Sequence, residues 1–78
     1  MQEINLDFPI KVDGIETDTI NIRRATVGDM LNAQKKGTEG EKEISLLATL
    51  CTMSPKDFEK IDLSDYNKIK KAVEGFTG

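Results

Sequence analysis

No histidine and only one cysteine, Cys51, occur among the 78 residues of the chain. Histidine is the commonest general base near neutral pH and a common metal ligand, so its absence removes the usual route to both chemistries. A single cysteine cannot form an internal disulfide, which fits a reducing compartment. Cys51 lies on the apolar stripe of a predicted helix without a nearby cation, and we interpret it as a buried structural thiol.

Long apolar runs are missing too. The longest stretch without a charged residue is ISLLATLCTMSP, which is shorter than the roughly 20 apolar residues that a membrane-spanning helix needs. The start, MQEINLDF, has neither the basic nor the apolar region of a signal peptide. These features predict a protein of the cytoplasm.

Positive charge is scarce. The net charge of −3 and the pI near 4.8 argue against a general nucleic-acid or anionic-membrane binder, because such binding depends on neutralising phosphates. The charge is nevertheless uneven: residues 23–36 carry four basic groups and one acidic group, whereas residues 37–59 carry two and five. The basic block begins with Arg23 and Arg24.

The carboxylates Asp57, Glu59, Asp62 and Asp65 are the remaining candidates for acid–base chemistry or for binding a hard cation. Three of them are better explained as capping or first-turn residues of helices, and no EF-hand spacing is present. Gly28 stands alone and not in a phosphate-binding glycine run. The sequence therefore predicts no enzyme, no cofactor and no metal site.

Strict alternation over residues 4–12 predicts a first strand, and a second is predicted over residues 17–23. A two-residue turn at Asp13 and Gly14 would place Ile20 and Ile22 on the wrong face of the hairpin. Because a one-residue slip reverses the faces, we predict a loop of three or five residues instead. The first strand should then present one apolar row, formed by Ile4, Leu6, Phe8, Ile10 and Val12.

Helices are predicted from their caps and periodicity. Thr26 and Asp29 have the spacing of a capping box, and Ser54 before Pro55 is a typical helix start that should bury Phe58 and Ile61. The predicted helices span residues 27–37, 41–53, a short stretch after residue 54, and 64–74, with Gly75 and Phe76 as the C-terminal cap of the last.

These elements predict an α+β fold in a single small domain, residues 1–78. An N-terminal β-hairpin, residues 1–24, should pack against three or four short α-helices within residues 26–76. The small size leaves little stability to spare, so self-association, for example at the free edge of the hairpin, is left open.

The two arginines have two interpretations. On a strand they point to opposite faces, so Arg24 should pack its stem at the edge of the core and Arg23 should project outward. The two arginines either have a purely structural role at the edge of the sheet or contact a partner protein. With Lys68, Lys70 and Lys71 of the last helix they could also form a small regulatory nucleic-acid-binding module. A solvated face is favoured, because acidic neighbours dilute the cluster and few aromatics are available to stack on bases.

Three segments, taken in order, resemble a known family. They are RRATVGDM at residues 23–30, LLATLCTMSPKDFEKID at residues 46–62 and LSDY at residues 63–66, and they follow an FPIKVDG strand. The chain resembles, over nearly its whole length, the small tail assembly chaperones of long-tailed bacteriophages, of the type found in Mu-like and related contractile phages and prophages. Ile22 and Ala25 depart from the leucine and proline expected there.

The resemblance implies a non-catalytic protein of the bacterial host cytoplasm that binds the phage tape measure protein, helps to recruit tail tube protein subunits and is absent from the finished virion. Such chaperones are made in a short form and, through a ribosomal frameshift, a longer form, and a chain ending at Gly78 resembles the short one. The broad apolar stripe of the second helix suggests where a helical partner would bind. The alternative is that these side chains are ordinary core. The expected partner-binding residues are Met30, Leu31, Leu46, Leu50 and Met53, with Arg23 and Arg24 at the rim.

Overall fold

The computed structural model describes residues 2–35 and 37–77, and for residues 76 and 77 only the backbone. Two antiparallel strands form a hairpin, and four helices follow it, which confirms the predicted α+β class. The elements are β1 (Gln2–Val12), β2 (Ile15–Ile22), α1 (Val27–Ala33), α2 (Glu39–Leu50), α3 (Pro55–Phe58) and α4 (Leu63–Thr77).

The turn of the hairpin has two residues, Asp13 and Gly14, so the predicted loop of three or five residues is wrong. Val12 pairs directly with Ile15. Asp13 and Gly14 have φ angles of 53° and 81°, the two positive values that a type I′ turn requires. This turn matches the right-handed twist of the strands, which explains why it is preferred despite the register problem.

A bulge of several residues in β1 corrects the register. Ile10 pairs with Thr17, but Asn5 pairs with Thr19, so residues 6–9 of β1 lie opposite Asp18 alone. β1 thus has an odd number of extra residues relative to β2. An odd number reverses the faces to which the side chains beyond the bulge point, as the longer loop would have done. Ile20 and Ile22 are consequently buried with Leu6 and Ile10, as the apolar pattern demands.

The bulge also turns Phe8 outward. Its side chain is 56% exposed, so the prediction that Phe8 belongs to the buried row is wrong. Strict alternation in a sequence cannot be extrapolated across a bulge, because the surplus residues no longer follow the two-residue repeat.

Asp65 at the start of α4 holds the bulge in place. Its Oδ1 accepts a hydrogen bond from the Asp7 N–H at 3.0 Å, and its Oδ2 accepts one from the Phe8 N–H at 3.1 Å. The Asp65 side chain is fully buried, and the ammonium of Lys68 lies 3.4 Å from Oδ1. Burial alone would raise the pKa of Asp65, but the two backbone donors and Lys68 outweigh it and lower the pKa below its ordinary value.

Capping residues set the helix starts. Thr26 and Asp29 form the predicted capping box at α1. A second box, Thr38 with Glu41, starts α2 at Glu39, earlier than predicted. Helix α1 ends at Ala33, with Gln34 as its C-cap, and not at Gly37 as predicted. The Ser54 hydroxyl accepts a hydrogen bond from the Asp57 N–H and caps α3 as predicted.

The predicted cap at Gly75 and Phe76 is wrong, because α4 continues through Gly75 to Thr77. A cap of that kind needs a positive φ, and among the described glycines only Gly14 has one. The side chain of Phe76 lies outside the described residues.

The core lies between the hairpin and helices α2, α3 and α4. Phe58 and Tyr66 meet edge to face with ring centroids 6.0 Å apart. The core residues with the lowest exposure are Ile22, Ala48, Leu50, Phe58 and Ile69.

Thr52 closes α2 in a conformation that normally favours glycine. Its φ is 58°, its N–H donates to the Thr49 carbonyl at 3.1 Å, and the Met53 N–H donates to the Ala48 carbonyl at 3.0 Å. This is the Schellman pattern of a helix end, with a β-branched residue at the left-handed position. It ends α2 at Leu50 and not at residue 53 as predicted.

Replacing Thr52 with glycine is expected to raise the free energy of unfolding by about 0.5–1 kcal/mol, because glycine relieves the left-handed strain but is freer when unfolded. Urea unfolding followed by circular dichroism measures the change. Thr49→Gly is the matched control. Thr49 lies inside α2, where glycine should lower stability by about 1 kcal/mol. Destabilisation by both changes would refute the proposed strain at Thr52.

Candidate partner-binding surface

The structure divides the predicted partner-binding residues among the core, α1 and two clefts. Leu50 has no exposed surface and lies in the core, so it must be removed from the predicted surface. Leu46 and Met53 are half-buried and pack against the core with part of their side chains exposed. Met30 and Leu31 are the exposed members of the set.

Helix α1 presents an apolar stripe to solvent. Val27, Met30 and Leu31 are 71%, 50% and 59% exposed, and their spacing of three and four residues places them on one face of the helix. We call these three side chains the α1 ridge. Ala33 is the buried side chain of this helix and lines the cleft between α1 and α2. Sequence reasoning missed Val27, although its spacing to Met30 and Leu31 would have revealed it.

Met30 and Leu46 come together in the cleft between α1 and α2. This cleft has a volume of about 400 Å³, and both side chains line it. The prediction placed these residues on one surface although they lie far apart in the sequence, and the structure brings them together. The α1 ridge therefore continues into a partly apolar cleft.

Arg23 has a structural role in this region. Its guanidinium donates to both carboxylate oxygens of Asp29, at 2.7 and 2.9 Å, and its backbone N–H donates to the Leu50 carbonyl at 3.1 Å. It thereby connects the end of β2 to the start of α1 and to the end of α2. The hydrogen bonds from Arg23 lower the pKa of Asp29 well below its usual range, with the Thr26 N–H adding to the effect.

The predicted orientations of the two arginines are therefore wrong. Arg23 turns back toward Asp29, and Arg24 is exposed. Strand parity does not apply to them, because β2 ends at Ile22 and the chain changes direction there. Arg24 lies between the end of β2 and the start of α1 in the chain.

Met53 lies at a second cleft, between β2 and the C-terminal end of α2. The volume of this cleft is about 350 Å³, and Arg23, Cys51, Thr52 and Met53 line one side of it. Burial raises the pKa of the Cys51 thiol to about 12, so the thiol stays protonated near neutral pH. The arrangement agrees with a structural role for Cys51.

Two lysines of α4, Lys68 and Lys70, pair with carboxylates. Lys68 lies 2.8 Å from a carboxylate oxygen of Asp7, and Lys70 lies 3.1 Å from one of Glu43. These pairs neutralise much of the positive charge that the nucleic-acid interpretation needs. No observation in the structure supports that alternative.

A third feature, which the sequence did not reveal, is a groove between α2, α3 and α4. It consists of two adjoining clefts of about 500 and 360 Å³ that share Gly40, Ile44 and Glu59. Leu63, 71% exposed, lies at its edge. The apolar side chains that line it are Ile44, Pro55, Phe58, Ile61, Leu63 and Tyr66.

Within residues 2–35 and 37–77, no cluster of three or more histidine, cysteine, aspartate or glutamate side chains could hold a metal ion. In the same part of the chain, no helix is long and apolar enough to span a membrane. What the described surface offers is an uncovered apolar helix face and shallow clefts.

The molecule is thus a small α+β protein whose most distinctive surface feature is an exposed apolar helix. Residues 3–78 match the family described as phage tail assembly chaperone proteins, E, or 41 or 14. Because the match covers nearly the whole chain, the protein belongs to this family of tail assembly chaperones. Searches of curated proteins and of solved structures gave no match.

Proposed function

We propose that this tail assembly chaperone binds the tape measure protein and helps to recruit tail tube subunits in the cytoplasm of the bacterial host. It acts by binding, without catalysis or a cofactor, and it is not part of the finished virion. Membership of the family supports a role in tail assembly. The choice of these two partners follows from the resemblance in the sequence.

The observation that carries the proposal is the exposure of the α1 ridge. A small monomeric protein gains stability by burying its large apolar side chains, and adjacent exposed ones on one helix face are typical of a surface that another chain covers. A helix of the tape measure protein that packs along Met30 and Leu31 would bury apolar surface on both chains.

Three features of the surroundings suit such a partner. Met30 is unbranched and flexible, so it can adapt to a varied sequence. Leu46 supplies an apolar floor where the ridge meets the α1–α2 cleft. Lys35 follows α1 in the chain and is exposed, so its charge can attract an acidic segment of a partner.

Replacing both Met30 and Leu31 with glutamine should weaken binding to the tape measure protein of the same phage by at least about thirtyfold, the loss expected when two central apolar contacts are removed. Glutamine is a good helix former, so α1 should persist. Co-expression with the tape measure protein, pull-down and titration of the purified complex measure the effect.

Ile15→Gln is the matched control. Ile15 is 69% exposed but lies at the turn of the hairpin, away from α1. Binding by the double variant at wild-type strength would contradict the assignment of the surface. If the wild-type protein failed to bind the tape measure protein at all, the proposed function itself would be contradicted.

A further inference from the structure

Helix α1 has few sources of stability. It spans only Val27–Ala33, and isolated helices shorter than about 12–15 residues are marginal in water. Most helices in proteins are stabilised by burying an apolar face, but the apolar face of α1 is the exposed ridge. Of its described side chains, Ala33 alone is buried. The order of α1 therefore depends strongly on the contacts at its ends.

Asp29 fixes the N-terminal end of α1. Its Oδ2 accepts hydrogen bonds from the Thr26 N–H at 2.9 Å and from the Arg23 guanidinium at 2.7 Å, and its Oδ1 accepts a second guanidinium N–H at 2.9 Å. One carboxylate thus caps the helix and binds Arg23. Its side chain is only 10% exposed, and bidentate bonds between two charged groups are among the stronger hydrogen bonds in proteins. We call Arg23 and Asp29 the anchor pair.

Arg23 is itself attached to the rest of the fold. Its backbone N–H donates to the carbonyl of Leu50, a residue with no exposed surface, at 3.1 Å. Its guanidinium also donates to the Arg24 carbonyl at 3.1 Å, within the connection between β2 and α1. A continuous series of hydrogen bonds therefore leads from the end of α2 through Arg23 and Asp29 to the first turn of α1.

We infer that Arg23 is a positioning residue for partner binding: through Asp29 it holds α1 folded, with the ridge presented, and it does not contact the partner itself. The inference deepens the proposed function and rests on it for the identity of the partner. A ridge that is ordered in advance loses little conformational entropy on binding. If α1 were ordered in only a fraction of the molecules, the apparent affinity would fall by that fraction.

This role differs from the rim contact that the sequence suggested for Arg23. A guanidinium that already donates two hydrogen bonds to Asp29 would have to give them up to bind an acidic partner in the same bidentate way. Breaking the anchor pair would also release the helix that carries the ridge. The geometry therefore favours an indirect role.

NMR of the isolated protein tests the anchor pair without any tail protein. Arg23→Gln removes the charged donors but leaves the backbone bond to Leu50 in place. The ordered fraction of α1, read from its Cα chemical shifts, should fall by at least about threefold, because a marginal helix loses two charge-assisted hydrogen bonds. Helices α2 and α4 should keep their helical shifts. A uniform loss of stability would not give this local change, because it leaves the shifts of the folded molecules as they are.

Titration with the tape measure protein tests the consequence for binding. Arg23→Gln should weaken binding by the factor by which the ordered fraction of α1 falls. Asp29→Asn breaks the same pair from the other side, while asparagine can still accept the capping bond from Thr26. The double variant should bind no more than about twofold more weakly than Asp29→Asn alone, because no pair is left to break. A direct contact between Arg23 and the partner would make the two losses multiply.

Lys60→Gln is the matched control. It removes one positive charge and the ion pair with Asp57, at 3.1 Å, but this pair belongs to α3. The shifts of α1 and the affinity for the tape measure protein should both stay at wild-type values.

The inference is wrong if α1 stays as helical in Arg23→Gln as in the wild type, or if α2 and α4 lose helix together with it. It is equally wrong if Arg23→Gln binds as tightly as the wild type, or if the losses of the two single variants multiply in the double variant. Failure of the wild type to bind the tape measure protein would instead contradict the proposed function, and with it the use of the anchor pair in binding. The chemical shifts separate the two cases, because they report on α1 alone.

Discussion

Replacing Asp65 with alanine is expected to lower the free energy of unfolding by about 3–5 kcal/mol, the usual consequence of breaking a buried charged network. The carboxylate is fully buried and accepts hydrogen bonds from the Asp7 and Phe8 N–H groups. Alanine would leave both donors without a partner in a region that water does not reach. A chain of this size has a total stability of only about 4–12 kcal/mol, so the variant should be close to unfolded.

Asparagine at the same position is the milder test and should lower stability by about 2–3 kcal/mol. Its amide oxygen can accept from one of the two N–H groups, but its NH₂ group would face the other donor. A loss of this size lowers the melting temperature by roughly 4–8 °C per kcal/mol in a domain of this length. Thermal unfolding and urea unfolding both measure it.

The effect of Asp65→Asn should depend on pH. The folded protein lowers the pKa of Asp65, so the stabilisation is fully present above the unfolded value of about 4 and is lost as the pH falls through the lower folded value. The difference in stability between wild type and Asp65→Asn should therefore be largest at neutral pH and shrink below about pH 4.

Asp7→Asn is the matched control for the buried carboxylate. Asp7 also pairs with Lys68, at 2.8 Å, but its side chain is 65% exposed, so its removal should change stability by no more than about 0.5 kcal/mol. If Asp7→Asn and Asp65→Asn lowered the free energy of unfolding equally, the role assigned to the buried Asp65 would be contradicted. The loss would then come from the ion pair with Lys68, which both carboxylates share.

Local signals in the sequence predicted much of the fold. The caps at Thr26 and Ser54 and the apolar periodicity of the helices depend on neighbouring residues, so one sequence is enough to recognise them. The class of the fold follows from the order of these elements. The capping box at Thr38 and Glu41 was equally local and could have been found, which would have corrected the start of α2.

The bulge could not be predicted in the same way. It depends on Asp65, which lies 58 residues from Asp7 in the sequence. We considered Asp65 together with Asp57, Glu59 and Asp62 and explained three of the four as capping or first-turn residues, so we did not single out Asp65 as a buried group. The missed signal was its spacing to Ile69 and Ala72, which places a carboxylate on a buried stripe where it needs hydrogen-bond donors.

The candidate surface was predictable only in part. A broad apolar stripe shows that a helix has more than one apolar neighbour, but it does not show which neighbour belongs to the same chain. Leu46 and Leu50 look alike in the sequence, yet Leu50 is fully buried in the core, whereas Leu46 borders a cleft. The distinction depends on how α2 packs in the folded chain and cannot be read from periodicity.

Leu50→Ala and Leu31→Gln should separate the core from the partner-binding surface. Leu50 has no exposed surface, and its truncation should lower the free energy of unfolding by about 3 kcal/mol or more, because it removes buried apolar contacts and leaves a cavity. Leu31 is 59% exposed, so Leu31→Gln should change stability by no more than about 0.5 kcal/mol. Urea unfolding of both variants measures these differences.

Binding to the tape measure protein should follow the opposite order. At low temperature, where circular dichroism shows that Leu50→Ala is still folded, this variant should bind as the wild type does, since its α1 ridge is unchanged. Leu31→Gln should remain stable and bind more weakly. A folded Leu50→Ala protein that has lost binding would show that the partner reaches into the core and that the helices open to receive it. The ridge would then be only the outer part of a larger interface, and Leu50 would return to the set of contact residues from which its burial removes it.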